Sequence, residues 1–239
     1  MSGRLFRNLA LGLFLVGLLA GSAFAEGSKS IALILTAKGD AQMKKGDADW
    51  KEASFGAVLD AGDKLRTGND GFISIVFSDD KTQLKIRPNT SITVDGSREQ
   101  DYSISKRVNL ELGELFADVT KQKGALQIAT PTSVASVKGT EFWVIVDEDG
   151  TSQVLTLQGL VEMLSLLTGQ TVEVGAGMGA NVDISGNIEE LTIEDIDVPT
   201  FTEEVFNLKT IEIRFLDDEG NEKTVIIQYQ EEDDGTTGP

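Results

Sequence analysis

The stretch Thr130 to Gly159, TPTSVASVKGTEFWVIVDEDGTSQVLTLQG, decides the fold. Thr130-Pro131 breaks the chain just before it. Phe142-Trp143-Val144-Ile145-Val146 is the densest run of β-branched and aromatic residues after the N-terminal segment. Both of its faces are apolar, so it reads as a strand covered from both sides. Asp147 to Gly150 is a polar turn ending in Gly, and Val154-Leu155-Thr156-Leu157 runs back as a second strand, a hairpin by pattern. Gly159 interrupts that strand and Val161 and Met163 continue it. Gly139, before the central strand, predicts a bend or a close backbone approach.

The same grammar extends in both directions. Ser30 to Ala37 reads as a strand, Lys44-Lys45-Gly46-Asp47 as a turn, and Val58 to Thr67 as a strand bracketed by Gly62-Asp63 and Gly68-Asn69-Asp70-Gly71. In Phe72 to Phe77, Ile73, Ile75 and Phe77 share a face. Ser78 to Lys81 turns the chain, Leu84 and Ile86 alternate with Lys85 and Arg87, and Ile92 to Val94 resumes after Pro88-Asn89. Val108 to Val119 reads as a strand pair with Gly113 inside it. Leu112-Gly113-Glu114-Leu115 resembles Leu157-Gln158-Gly159-Leu160, and the beat returns at Val172 to Val182. Short strands meeting at Gly corners predict an all-β body, solenoid-like or a folded-over sheet, with a plain β-sandwich as the simpler alternative.

Thr130, Pro131, Ala135, Val137, Lys138, Gly139, Thr140, Glu141 and Phe142, then Gly150, Val154, Leu157, Gly159 and Val161, form an ordered pattern that resembles the FecR-domain family. Gly62, Asp63, Leu65, Thr67, Gly68, Gly71, Phe77 and Asp79 extend the resemblance, which covers about Ile31 to Ile184. The sequence departs from the family at Asp80, where Gly is common. Asp tolerates left-handed geometry, so the hairpin is expected to survive. The resemblance implies an envelope domain. The family's named member is a periplasmic regulator relaying outer-membrane receptor occupancy to a cytoplasmic sigma factor. That role needs a cytoplasmic segment before a membrane span, and here only residues 1–8 precede the apolar run. The motif residues Gly62, Asp63, Thr67, Gly68, Gly71, Thr130, Pro131, Val137, Lys138, Gly139, Thr140, Glu141 and Phe142 are read as structural.

Residues 1–25 read as a signal peptide. Arg4 and Arg7 precede the apolar run Leu9 to Ala20, and Ala23-Phe24-Ala25 fits the small-x-small cleavage rule. The run is short for a membrane span, and no later stretch is long enough to cross a bilayer. Cleavage removes two arginines and no acid, deepening a formal charge of -18. That charge, with a pI near 4.3, argues against nucleic acid and against anionic membrane surfaces. The chain then divides into a FecR-like β domain at 26–186, an acidic segment with a short helix and a β-hairpin at 187–230, and a disordered tail at 231–239. Thr200-x-x-Glu203 is the candidate capping box of that helix, which runs through Phe206. Lys209 to Leu216 and Lys223 to Gln230, flanking Asp217 to Asn221, are the hairpin.

Neither His nor Cys occurs, which excludes disulfides, the usual His/Cys zinc site, a Ser-His-Asp triad and a Cys nucleophile. Gly175-Ala176-Gly177-Met178-Gly179 invites a phosphate loop, but strand-like Asn181 to Ile184 follows where a helix is required. Ser136 and Lys138 share a face, and a catalytic dyad would need the lysine buried and neutral. A lysine stem over apolar surface, paired with Glu141, is the plainer reading. Asp79-Asp80, Asp147-Glu148-Asp149 and Asp217-Asp218-Glu219 all fall at turns, where acids are solvated. A carboxylate enzyme acting on glycans would need two of them to converge. Trp143 reads as core, and Trp50 as a partly exposed partner contact.

The sequence thus predicts an exported, periplasmic or secreted, non-catalytic binding or scaffolding module with no cofactor and no metal. Its partner is an unknown protein or envelope glycan. A FecR-type signalling regulator and a glycan-active enzyme are the alternatives.

Overall fold

The computed structural model describes residues 30–120, 126–195 and 198–201, and the backbone pairing of 209–216 and 222–229. The predicted signal peptide, the part beyond Phe201 of the helix expected from the Thr200 capping box through Phe206, the turn at 217–221 and the tail lie outside the described residues.

Among the described residues the regular structure is all β apart from one 3-10 turn, Ile193–Asp195. Its strands are β1 (Ser30–Lys38), β2 (Ala41–Lys44), β3 (Lys51–Glu52), β4 (Val58–Asp60), β5 (Asp63–Thr67), β6 (Phe72–Phe77), β7 (Gln83–Ile86), β8 (Ser91–Arg98) and β9 (Ile104–Asp118). They continue as β10 (Leu126–Ala129), β11 (Ser133–Val137), β12 (Glu141–Val146), β13 (Ser152–Gln158), β14 (Leu160–Ser165), β15 (Thr171–Gly175), β16 (Met178–Val182) and β17 (Ile188–Thr192). A separate antiparallel pair, β18 (Lys209–Leu216) and β19 (Glu222–Tyr229), is the predicted hairpin.

The body's strands form one continuous 17-stranded sheet, folded over into two layers. Layer A runs β4-β1-β6-β7-β9-β12-β13-β16-β17. Layer B runs β3-β2-β5-β8-β9-β10-β11-β14-β15. The period-2 alternation sends Ile34, Ile75, Leu84, Leu115, Phe142 and Val144 inward from layer A. They meet Met43, Leu65, Ile92, Val108, Ile128 and Met163 of layer B, all at most 1% exposed. Of the expected alternatives, the folded-over sheet is the one observed.

Residues 104–118 form a single strand rather than the expected pair. Its first part pairs in layer B (Ile104↔Arg98) and its last part in layer A (Asp118↔Gln83). The change of layer occurs at Gly113, with φ +98. A Cβ there would sit 2.6 Å from the Thr90 Cα and 2.8 Å from the Asn89 carbonyl oxygen, so only Gly fits. Gly159 repeats the arrangement with φ +89, close against the Gly139 carbonyl. The two predicted look-alike segments are therefore both corners.

The corners fall on opposite edges in the two halves of the chain. Before and within β9 they are Gly39, Gly68 to Gly71, Pro88 to Thr90, and Gly113, brought to one edge by the pairs Lys38↔Phe72 and Ile86↔Leu115. After β9 they are Gly139, Gly159 and Gly177, which the pairs Glu141↔Asp118 and Thr156↔Met178 place at the other edge. Each half therefore has an open mouth opposite its corners, and polar groups close each mouth differently.

The first mouth is closed by ions. Lys106, in phase with Ile104 and Val108, turns a fully buried ammonium to Asp79 and Asp80, at 2.7 Å each. The Asp79 carboxylate also accepts the Ile104 N–H at 2.7 Å. These acids are 6% and 13% exposed, so their reading as solvated turn acids is corrected: they tie layer A to layer B. The hairpin survives Asp80 as expected, but the left-handed residue is Lys81 (φ 66), while Asp80 caps the turn by accepting the Thr82 N–H. The second mouth is closed by hydroxyls. Ser152 donates to Thr130 at 2.6 Å, Thr130 and Ser133 lie 2.9 Å apart, and Thr132 lies 2.6 Å from Ser152. Ser165 donates to the Gly186 carbonyl at 2.9 Å.

Candidate functional site

The motif residues hold corners and mouths. Thr67 donates to the Arg87 carbonyl at 2.6 Å and accepts the Thr90 N–H at 2.9 Å. At Gly68 and Gly71 an added Cβ would run into Asp40. Gly62 donates its N–H to Val94, and buried Asp63 accepts the Asp60 N–H at 2.9 Å. Thr140, 2% exposed, donates to the Leu160 carbonyl at 3.0 Å across the corner at Gly139. Val137 and Phe142 are core, Thr130 belongs to the hydroxyl cluster, and Pro131 is exposed beside it. Lys138 is exposed and Glu141 half-buried. Lys138 therefore lacks the burial a Ser136–Lys138 dyad requires, and the expected pairing with Glu141 is not among the ion pairs described.

The remaining chemical candidates separate as well. Gly177 (φ +82) is a corner followed by strand β16, without the helix that a phosphate loop needs. Asp79-Asp80 lies at the edge of the Gly139 corner, and Asp147 to Asp149 at the opposite edge beside Gly113 and Val146. These two described acid clusters do not converge. A polar depression of about 380 Å³ on layer B is lined by Asp95, Gly96, Ser97, Ser105, Lys106, Arg107 and Gln127. Trp50 is half-buried as expected, its ring 4.2 Å from the Arg66 guanidinium, which also donates twice to Gln42.

The outer face of layer A is different. Alternation that sends Phe142 and Val144 inward sends Trp143 outward, and cross-strand pairing aligns it with Phe116 and Leu155. The row continues to Lys85 and Ser74 on one side, and to Gly179 and Leu191 on the other. An outward residue ordinarily meets water, yet Trp143 is 2% exposed and Leu155 fully buried. Trp143 is thus buried as read, but on the outside of the sheet and not in the central core.

Its described cover is Phe201, which ends the segment Val198-Pro199-Thr200-Phe201. Phe201 stacks on Trp143 with centroids 5.0 Å apart and planes at 25°. It meets Phe116 edge-on at 5.7 Å and Phe72 edge-on at 6.1 Å. Phe116 and Trp143 are themselves 5.1 Å apart. Cations rim the cluster. The Lys85 ammonium is 5.0 Å from the Phe201 ring and 5.4 Å from Phe116, and the Arg87 guanidinium is 5.9 Å from Trp143. Arg87 donates to the Thr200 carbonyl at 2.6 Å and pairs with Glu114 at 3.0 Å. Burial pushes the Lys85 ammonium below its usual range, and Asp118 and Glu141 partly counter it. The face offers aromatic stacking, half-buried cations and a donor to a main-chain carbonyl, which are means of binding. Sequence reading missed Phe116, Phe201, Lys85 and Arg87 as a group. The available signal was Phe116 and Trp143 occupying outward positions of adjacent strands.

The FecR protein family model matches residues 63–162, from the start of β5 into β14. No curated protein matches the chain. Among solved structures, two crystal structures of a candidate anti-sigma factor from Parabacteroides distasonis are similar, at 19% and 18% identity and a TM-score of 0.45 each. The match covers 54% of this chain and spans only 59% of the length of those chains. Among the described residues no helix is long and apolar enough to cross a membrane.

Proposed function

We propose that this chain, which carries a FecR domain, is an exported, non-catalytic binding module of the cell envelope that engages a protein partner through the outer face of layer A. One observation carries the reading: an outward row of a sheet is built from Phe116, Trp143 and Leu155 and rimmed by Lys85 and Arg87. A two-layer body needs only its inward faces covered to fold, so a second apolar face suits recognition. The reading includes no cofactor.

The test is site-directed photo-crosslinking in cells. Probes at Gln83 or Ile145, on the outer face of layer A, are expected to trap one discrete envelope protein. Probes at Thr93 or Gln127, on the outer face of layer B, are expected not to trap it. Equal trapping from both faces, or none from layer A, overturns the proposal.

The FecR domain also favours a second reading, a signalling regulator of the FecR type held in the membrane by an uncleaved N-terminal segment. N-terminal sequencing of the protein from fractionated cells separates the two. A chain starting at Glu26 in the soluble envelope fraction supports the free module. An intact Met1 chain in the membrane fraction, cross-linking to a cytoplasmic partner, supports the regulator.

A further inference from the structure

We infer that the outer face of layer A is a docking groove for an extended polypeptide bearing an aromatic anchor residue flanked by acids, and that Val198-Pro199-Thr200-Phe201 occupies this groove as a competitor within the same chain. The inference rests on the binding role proposed for this face and names its ligand chemistry.

The segment lies on layer A without being part of it. The body's last strand, β17, ends at Thr192 at the margin of the layer, yet Phe201 sits over Trp143 of β12, with β16 and β13 between. Pro199 has no N–H to offer a strand ladder. The described contacts that hold the segment include a ring seated among Trp143, Phe116 and Phe72, and a main-chain carbonyl gripped by Arg87. Neither requires this particular sequence, because any polypeptide with an aromatic side chain presents both. A glycan would stack on Trp143 but offers neither the edge-to-face ring contacts nor an amide carbonyl between its residues. The charge pattern narrows the ligand further. Lys85 and Arg87 rim the groove beside Asp118, Glu141 and Glu114 of the same layer, and in the sequence the segment that fills it is bracketed by Glu194 and Asp195 before, and Glu203 and Glu204 after. A ligand covalently present at high effective concentration lowers the apparent affinity for any outside peptide by the fraction of time the groove is open.

The probe is the blocked peptide Val-Pro-Thr-Phe-Thr-Glu, the sequence of residues 198–203, carrying a fluorophore. Its binding to the purified chain is read by anisotropy. Phe201→Ala is expected to bind it at least about tenfold more tightly than the wild type. Adding Lys85→Glu should weaken that binding about tenfold, and the peptide with its Phe replaced by Ala should bind neither protein. With only two tryptophans in the chain, Phe201→Ala should shift Trp143 emission to the red, and the wild-type peptide should reverse the shift. Phe201→Leu, which keeps an apolar cover, serves if the alanine variant fails to fold and should bind the peptide with intermediate affinity. Equal binding by wild type and variant, or none by either, overturns the inference. Sedimentation of Phe201→Ala with purified peptidoglycan in place of peptide binding overturns it in favour of a glycan. Wild-type dimers that vanish on Phe201→Ala overturn it in favour of exchange between copies. If layer A cross-links to a partner while the peptide fails, only this inference falls. If the peptide binds while cross-linking finds no partner, the proposed function falls.

Discussion

The outer faces of layers A and B arise from the same period-2 alternation, on strands of which only β9 is shared, but carry opposite chemistry. Across layer A the outward row reads Ser74, Lys85, Phe116, Trp143, Leu155, Gly179, Leu191. Across layer B a comparable row reads Asp95, Arg107, Gln127, Ser136, Glu162, Glu173. The second row is an ordinary solvated face, with Asp95 opposite Arg107 and no apolar side chain. It shows that the shared core between the layers suffices for one face of the sheet to stay wet. The first row then calls for a separate explanation, because its aromatic residues contribute to folding only through a cover that comes from beyond the sheet. The comparison separates what the fold requires from what it presents.

The largest expected effect comes from breaking the aromatic row at its centre. Trp143→Ala empties a site closed on one side by Phe116 and on the other by Phe201, and should cost about 3–5 kcal/mol. Arg107→Ala, in the row on layer B, should stay within about 0.5 kcal/mol. Urea denaturation of the two variants checks this. Similar losses would mean that the two faces are energetically alike. Phe201→Ala removes a half-buried ring and should cost roughly 1–2 kcal/mol. Less than a few tenths would mean that the segment adds no cover.

The two arginine–tryptophan pairs give a smaller contrast. Arg87 on layer A donates to the Thr200 carbonyl, pairs with Glu114 and approaches Trp143. Arg66, by layer B, lies over Trp50 and is bound only to the neutral amide oxygen of Gln42 among its described partners. Arg87→Ala should cost about 1.5–3 kcal/mol, as for hydrogen bonds to charged groups. Arg66→Ala should cost about 0.5–1 kcal/mol. Reversal of that order would place the more structured face on layer B.

How much of this was legible follows from the range of the interactions. The hairpin of β12 and β13 was readable because its apolar run, polar turn and return strand are contiguous. The corners at Gly113, Gly159 and Gly177 were readable as a recurring beat, since a backbone that must change layer demands Gly at fixed places. Which edge each corner occupies was not, because that depends on pairings such as Glu141↔Asp118 between distant segments. Lys106 escaped notice because the strand was started at Val108. Begun at Ile104, the alternation puts a lysine in phase with Ile104, Val108 and Leu110, and a lysine at an inward position requires an acid, here Asp79 and Asp80. The cover of Trp143 by Phe201 had no local signal. Reading both faces of Phe142 to Val146 as covered was sound, but the residues that cover the outer face are set only by the path of the chain after Thr192.

The smallest effects are titrations, and they test the same contrast by sign. Lys85 lies under the aromatic cover, where burial lowers its pKa from 10.5 while Asp118 and Glu141 act the other way. Lys45, just after β2 in layer B, has its pKa raised above 10.5, chiefly by the hydrogen bond to Asp60 at 2.9 Å and further by the Asp63 charge, against the opposing effect of burial. Between the depressed pKa of Lys85 and 10.5 the unfolded chain binds the additional proton, so this group makes stability rise with pH across that window. Lys45 does the reverse. Its contribution is complete below 10.5 and is lost as pH rises through its raised folded-state value. The two windows lie on either side of 10.5 and are separable by following each lysine's Cε resonance in an NMR titration. Phe201→Ala should bring Lys85 back toward 10.5, because the ring that helps exclude water from its ammonium is gone, and should leave Lys45 where it is. If both lysines move, the variant has loosened the whole body. If neither moves, the cover over layer A does not set the environment of its cations, and the contrast between the two faces reduces to composition alone.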